Sequence, residues 1–195
     1  GCQTRQEPRP VIDTAAVQAV SAAEEARGVA EASLGKQAEI LAQGNLALNG
    51  RLQLLVVNRF SGETPASKRD AKPSPIFVTR AAVLEKNDGK WSQILLCDEH
   101  LKNPNGYLGG SPKARATGWR LEFRQDQGEG LEMKFAPADT FDADGTSTAQ
   151  RAAQNGVTFD VRWNKIAKRY QSFDQSHERY LSEVPSLETP ESILK

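Results

Sequence analysis

From residue 46 to about residue 173, apolar side chains recur at every second position or in short unbroken runs, with turn residues between the runs. A period of two belongs to the β-strand, whose successive side chains point to opposite faces. Residues 51–58, 76–84, 90–96, 119–124, 131–135, 157–163 and 169–173 read as strands, about seven in all. The first of these is largely apolar, as expected of a central strand buried on both faces. Trp119, Leu121 and Phe123 alternate with charged residues, as in a strand with one wet face. Asn87-Asp88-Gly89, Gln127-Gly128-Glu129-Gly130 and Asn164-Lys165 are tight-turn signals. Strands joined by short turns pair antiparallel, and nothing here alternates strands with helices as a parallel sheet requires. The fold expected is mainly β (α+β): an antiparallel meander forming a sandwich or open barrel, with an N-terminal α-helix.

The stretch before residue 45 follows a different period. Residues 14–43 are rich in Ala, Glu and Gln and contain no proline. Val17, Val20, Ala23, Ala30, Leu34, Ala38 and Leu41 recur near helical spacing, with Arg27 interrupting the stripe. Asp13 or Thr14 can cap the start, and Gly44-Asn45 can end it. The organisation expected is a tether over 1–13, a helical segment over 14–44, an antiparallel β-domain over 45–184 and a tail over 185–195. The helical face is narrow and alanine-heavy. Packing on its own domain is the favoured use for it, and assembly with other copies through 14–43 is an alternative.

Charge bounds the partners. The 195 residues carry 25 Lys and Arg against 25 Asp and Glu, a net charge of zero. A balanced chain without a basic block is a poor ligand for nucleic acid, and none is expected as a partner. The nearest basic cluster, Lys165, Lys168 and Arg169, reads as the decoration of a hairpin turn. No cofactor is expected: the glycine-rich stretch 103–110 lacks the lysine and the following helix of a phosphate-binding loop. Cys97 lies in an apolar run and reads as a buried, inert thiol.

Gly1-Cys2 is followed by a polar run with prolines at 8 and 10. This resembles the mature N-terminus of a bacterial lipoprotein, with Cys2 as the lipidated residue. The resemblance implies a cell-envelope location, facing the periplasm or the cell exterior, and a membrane contact made through lipid on Cys2. One acyl chain binds a membrane only marginally, so the several chains of that class are what make such an anchor stable. An envelope protein would be the expected partner.

Residues 44–96 resemble FG-GAP-type β-propeller repeats. Gly44-Asn45-Leu46-Ala47-Leu48-Asn49-Gly50 matches the family's loop before an apolar strand, and Asn87-Asp88-Gly89-Lys90-Trp91 matches an outer hairpin. The family's loops hold calcium. Here Asn45 stands at the first aspartate position and Leu46, Ala47 and Leu48 follow, a loop poor in the charged oxygens that calcium prefers.

The candidates for chemistry are few. Asp98-Glu99-His100 joins a histidine to carboxylates, the makings of a general base or a metal seat. Three consecutive residues of an extended strand do not converge on one atom, however. Asp139, Asp142 and Asp144 before Gly145 resemble half a calcium loop, but the twelfth position falls on Arg151 instead of glutamate. His177, with Asp174 and Glu178 beside it, would complete a metal set with His100 if the fold brought them together. Asn105, Tyr107 and Leu108 are candidates for a binding tip. Trp91, Trp119 and Trp163 read as pillars of the core. The function expected is a non-catalytic binding module with an unknown ligand, contacted through loops 61–75, 98–117 and 137–155. An envelope hydrolase or metal-dependent enzyme using Asp98, Glu99 and His100 is the alternative.

Overall fold

The computed structural model describes residues 14–60, 75–108, 115–138 and 158–185. It is mainly β with one N-terminal helix, and its antiparallel sheet curls into a half-barrel. Helix α1 spans Thr14–Leu34. The strands are β1 (Glu39–Gly44), β2 (Leu52–Arg59), β3 (Ile76–Asn87), β4 (Lys90–Cys97), β5 (Leu101–Asn103), β6 (Gly106–Tyr107), β7 (Trp119–Asp126), β8 (Gly130–Pro137), β9 (Phe159–Asn164), β10 (Arg169–Asp174) and β11 (Arg179–Tyr180). Among the described residues no helix is long and apolar enough to cross a membrane.

Strand β3 is the spine. One edge pairs with β2 from Val78 to Lys86. The other edge is shared: Ile76–Val78 pair with β7, and Ala81–Asn87 pair with β4. The sheet therefore forks. One branch runs β7-β8-β9-β10-β11, and the other runs β4-β5-β6, with β1 flanking β2. Facing side chains of the two branches enclose the main core, including Leu55, Val57, Val83, Leu95, Trp119, Leu121, Met133, Phe135, Val161 and Tyr170.

The unbroken apolar run in β2 follows from its place in the sheet. Leu55 and Val57 point into the half-barrel, while Leu54 and Val56 point out beneath α1. Ala26, Ala30 and Leu34, spaced four apart on the helix, cover Leu54, Val56, Ala82 and Leu84. Small residues on both sides let the helix sit close to the sheet.

The helix is shorter than its sequence suggests. It ends at Leu34 rather than near residue 44, and residues 39–44 form β1. Gly35, at φ +88°, reverses the chain, and its N–H donates to the carbonyl of Glu31. The free Leu34 carbonyl is then capped from the sheet, by Asn58 Nδ2 at 2.8 Å and Arg80 Nη2 at 2.9 Å. Beyond it, the exposed hydrogen-bonding edge of β2 outweighs a weak helical preference. The apolar stripe is corrected too: Val20 and Ala23 are exposed, and Arg27 lies on the outer face against Glu31.

The short strands β5, β6 and β11, like β1, go beyond the seven runs visible in the sequence. They let the end of the described chain join the two extremes of the sheet. Leu181 N–H donates to the carbonyl of Ser172 on β10, and Val184 pairs with Tyr107 on β6 through both backbone groups.

Candidate functional site

The β1–β2 loop, the β7–β8 turn and the β9–β10 turn meet at one end of the half-barrel. Between the first and the last of these is a cleft of about 330 Å³, lined by Ala47, Leu48, Asn49, Arg51, Trp163, Lys165 and Lys168. Its first lip is the loop after Gly44. Asn45 Oδ1 accepts from the Gly50 N–H at 2.9 Å, and Asn49 Oδ1 accepts from the Arg51 N–H at 3.0 Å. Leu46 and Ala47 are buried, and the Leu46 carbonyl accepts from Leu131 N–H at the start of β8. Gly130, at φ +87°, permits that approach, since a Cβ there would lie 2.6 Å from the same carbonyl oxygen.

The opposite lip is the β9–β10 turn. Asn164 Oδ1 accepts from Ile166 N–H and Ala167 N–H, and the Asn164 carbonyl accepts from Lys168 N–H at 2.7 Å. This geometry drives Lys168 to φ 57°, and Leu48 on the facing lip has φ 56°. Glycine or asparagine is the usual occupant of such positions. A leucine and a lysine held there cost about 1 kcal/mol each.

Behind the lips lies a buried polar chain. Glu85 on β3 accepts from Arg51 Nη1 at 3.1 Å, Asn49 Nδ2 at 3.1 Å and Gln53 Nε2 at 2.7 Å. Gln53 Oε1 in turn accepts from the Tyr170 hydroxyl at 2.5 Å. Gln53, Glu85 and Tyr170 are all buried. Burial pushes the Tyr170 hydroxyl far above its ordinary pKa, so it stays a donor. Trp163 meets Tyr170 edge to face at 5.1 Å between ring centres. The side chains of the first lip are thus fixed from within the core before any ligand arrives.

The cleft is electropositive. Among the described residues Arg51, Lys165 and Lys168 line it, and no carboxylate does. Arg51 is balanced by Glu85, whereas Lys165 and Lys168 have no ion-pair partner among the described residues. A larger hollow of about 390 Å³ on the outer face of β7 and β8 contrasts with it. There most of the charges are paired, Arg124 with Glu132 at 3.0 Å, Arg120 with Glu122 at 2.9 Å, and Arg162 with Glu132 at 2.6 Å and Asp160 at 2.8 Å, with Lys134 the lining cation that has no ion-pair partner among the described residues. A face already neutralised by its own pairs offers little net field to a ligand.

The residues singled out in the sequence lie elsewhere. Asp98, Glu99 and His100 form the tight turn between β4 and β5. Asp98 Oδ1 accepts from His100 N–H at 2.9 Å and Oδ2 lies 3.3 Å from Lys102 Nζ. Glu99 is 3.6 Å from Arg115, and the His100 ring lies 5.0 Å from that of Tyr107. None of the three lines either hollow. Asn105 is exposed at the β5–β6 turn, Tyr107 is half-buried in the pairing with Val184, and Leu108 is folded into the core. His177 Nδ1 lies 2.8 Å from Asp174 Oδ2 in the β10–β11 turn, and that contact holds the Asp174 carboxyl below its usual range. Cys2, Asp139, Asp142 and Asp144, with loops 61–74 and 139–157, lie outside the described residues. Among the described residues no three His, Cys, Asp or Glu side chains gather as a metal seat.

Trp119 and Trp163 stand in the main core, while Trp91 packs under α1 and donates to Glu25. Cys97 is buried, and burial raises its thiol well above the ordinary value. The sequence marked the Lys165–Lys168 turn as basic but gave no sign that Arg51 stands across from it. The available signal was the turn's composition: residues 165–168 include neither glycine nor asparagine, although the reversal needs a left-handed residue. No protein-family model, curated protein or solved structure matches the chain.

Proposed function

We propose that the chain is a lipid-tethered cell-envelope protein whose β-domain binds a ligand without transforming it, in the cleft between loop 45–51 and turn 165–168. The observation that carries the proposal is the buried chain running from Asn49 and Arg51 through Glu85 and Gln53 to Tyr170. It fixes the first lip of the cleft from inside the core, so that little of the binding energy is spent on ordering that wall. The polar groups presented are an amide, a guanidinium and two ammonium groups, each with N–H donors suited to holding a ligand. The cysteine at position 2, followed by a polar, proline-bearing run, supports the tether. The domain would then face the periplasm or the cell exterior.

Two measurements test the two halves of the reading. The first is the intact mass and membrane partition of the full-length natural precursor, wild type against Cys2→Ser. The tether requires a mass gain from acyl chains and loss of membrane association in the serine variant, and an unmodified wild type that stays out of the membrane removes it. The second is hydrogen exchange of the domain with and without a protein-free extract of cell envelopes. Protection concentrated at residues 45–51 and 165–168 is expected, and unchanged exchange at both segments would remove the cleft as the ligand seat.

A further inference from the structure

We infer that the cleft recognises a small organic anion, a sugar-sized molecule carrying a carboxylate or phosphate group. This rests on the reading of the cleft as a ligand seat and adds the chemistry of what fills it.

Three features point the same way. The first is local charge. The whole chain is neutral, yet among the described residues the cleft is lined by Arg51, Lys165 and Lys168 with no acidic side chain on its surface. Its positive field is therefore a property of this place and not of a basic protein. Glu85 is buried and offsets one of the three charges through Arg51 Nη1 at 3.1 Å. That single bond leaves the other guanidinium N–H groups available, and their fork geometry matches a carboxylate or phosphate edge.

The second feature is the backbone. Leu48 and Lys168 face each other across the cleft in left-handed conformations, at φ 56° and 57°. Asparagine or glycine would fit either position with less strain, so the side chains present there have a use that the turn itself does not supply. Lys168 brings a cation to one lip, and Leu48 brings an apolar side chain, 40% exposed, to the other.

The third is size and texture. About 330 Å³ is at the lower end of small-ligand sites, which combine an apolar wall with a few placed polar groups. Leu48 and the edge of Trp163 supply the apolar wall, and Asn49, Arg51, Lys165 and Lys168 supply the polar groups. An inorganic anion would use only the cations. A ring bearing the anionic group uses both.

The test is calorimetric titration of the full chain with glucuronate, glucose 6-phosphate, inorganic phosphate and glucose, wild type against Lys165→Ser/Lys168→Asn. The Lys168→Asn change removes a charge while placing a residue that tolerates the left-handed backbone, so the variant is expected to melt no lower than wild type. Glucuronate or glucose 6-phosphate should bind wild type, and the double variant should bind it at least about tenfold more weakly. Glucose should not bind. The ranking of the two charged sugars identifies the preferred anionic group. Equal affinity for inorganic phosphate and glucose 6-phosphate would overturn the sugar-sized part of the inference. Anion binding that survives the double substitution would place the anion elsewhere and overturn the inference. Absence of anion binding while envelope extract still protects the cleft would overturn the anionic class alone. Absence of both would remove the ligand seat as well.

Discussion

Tyr170 and Gln53 lie 117 residues apart in the chain, yet a single hydrogen bond joins them in the core. The phenol donates to Gln53 Oε1, which leaves the Gln53 amide N–H free for Glu85. Each buried polar atom in this run has its partner supplied by another strand or by the β1–β2 loop. Tyr170→Phe keeps the ring and its contact with Trp163 but leaves Gln53 Oε1 buried without a donor. The expected loss is about 1–2 kcal/mol, read as a lower urea midpoint with unchanged slope. An unchanged midpoint would mean that Gln53 finds another donor. From the sequence, Gln53 is a polar interruption in an apolar strand and Tyr170 an alternating aromatic. Nothing in either neighbourhood names the other, because the bond crosses from β2 to β10.

The helix illustrates how far element-level reading reaches. Its existence follows from a long proline-free stretch rich in alanine, and Ala30 and Leu34 of the expected stripe are indeed buried on the sheet. Its end does not follow. Residues 38–43 carry a composition that suits a helix, and they become a strand because β2 offers them an unpaired edge, register Glu39 to Val57. The β3–β4 hairpin, by contrast, was legible in its turn, though β3 runs three residues past the expected end at 84: Asp88 and Gly89 have φ 50° and 75°, the left-handed pair that a two-residue loop demands. Leu34 ties helix to sheet with both its side chain, 2% exposed, and its carbonyl. Leu34→Ala should cost about 2–4 kcal/mol through the cavity it leaves. Thermal or chemical unfolding measures this, and a loss under about 1 kcal/mol would show that α1 adds little to the fold.

At the scale of the whole molecule, the chain from Leu181 to Val184 joins β10 to β6. Glu183 is the polar centre of that strap. Its carboxylate takes Arg169 Nε at 2.6 Å, Asn103 Nδ2 at 2.8 Å and Gln171 Nε2 at 3.0 Å. Burial alone would raise its pKa, but the bonds from Arg169, Asn103 and Gln171 outweigh it and bring the carboxyl from 4.5 down to about 2. A depressed carboxylate stabilises the fold fully above its unfolded pKa and loses that contribution as pH falls through the folded one. The strap should therefore hold at neutral pH and weaken between pH 4.5 and about 2. After screening by solvent, the contribution is on the order of 1–2 kcal/mol. Glu183→Gln should lower stability at pH 7 and flatten its dependence on pH across that window. Denaturant unfolding at several pH values reads both, and identical profiles for the two proteins would remove Glu183 as the clasp.

The sequence by itself determined the class of fold, the antiparallel pairing, the helix at the front and the burial of Cys97. Each of these follows from period, turn residues or an apolar neighbourhood, which are local properties of the chain. The tertiary structure alone decided where the helix stops, how the sheet forks at β3 and which surfaces meet at the cleft. Arg51, Glu85, Trp163 and Lys168 become neighbours only when the sheet curls and brings the β1–β2 loop over the β9–β10 turn. Strand pairing within a hairpin is written in its turn, but the curvature that brings distant hairpins together comes from packing the whole core.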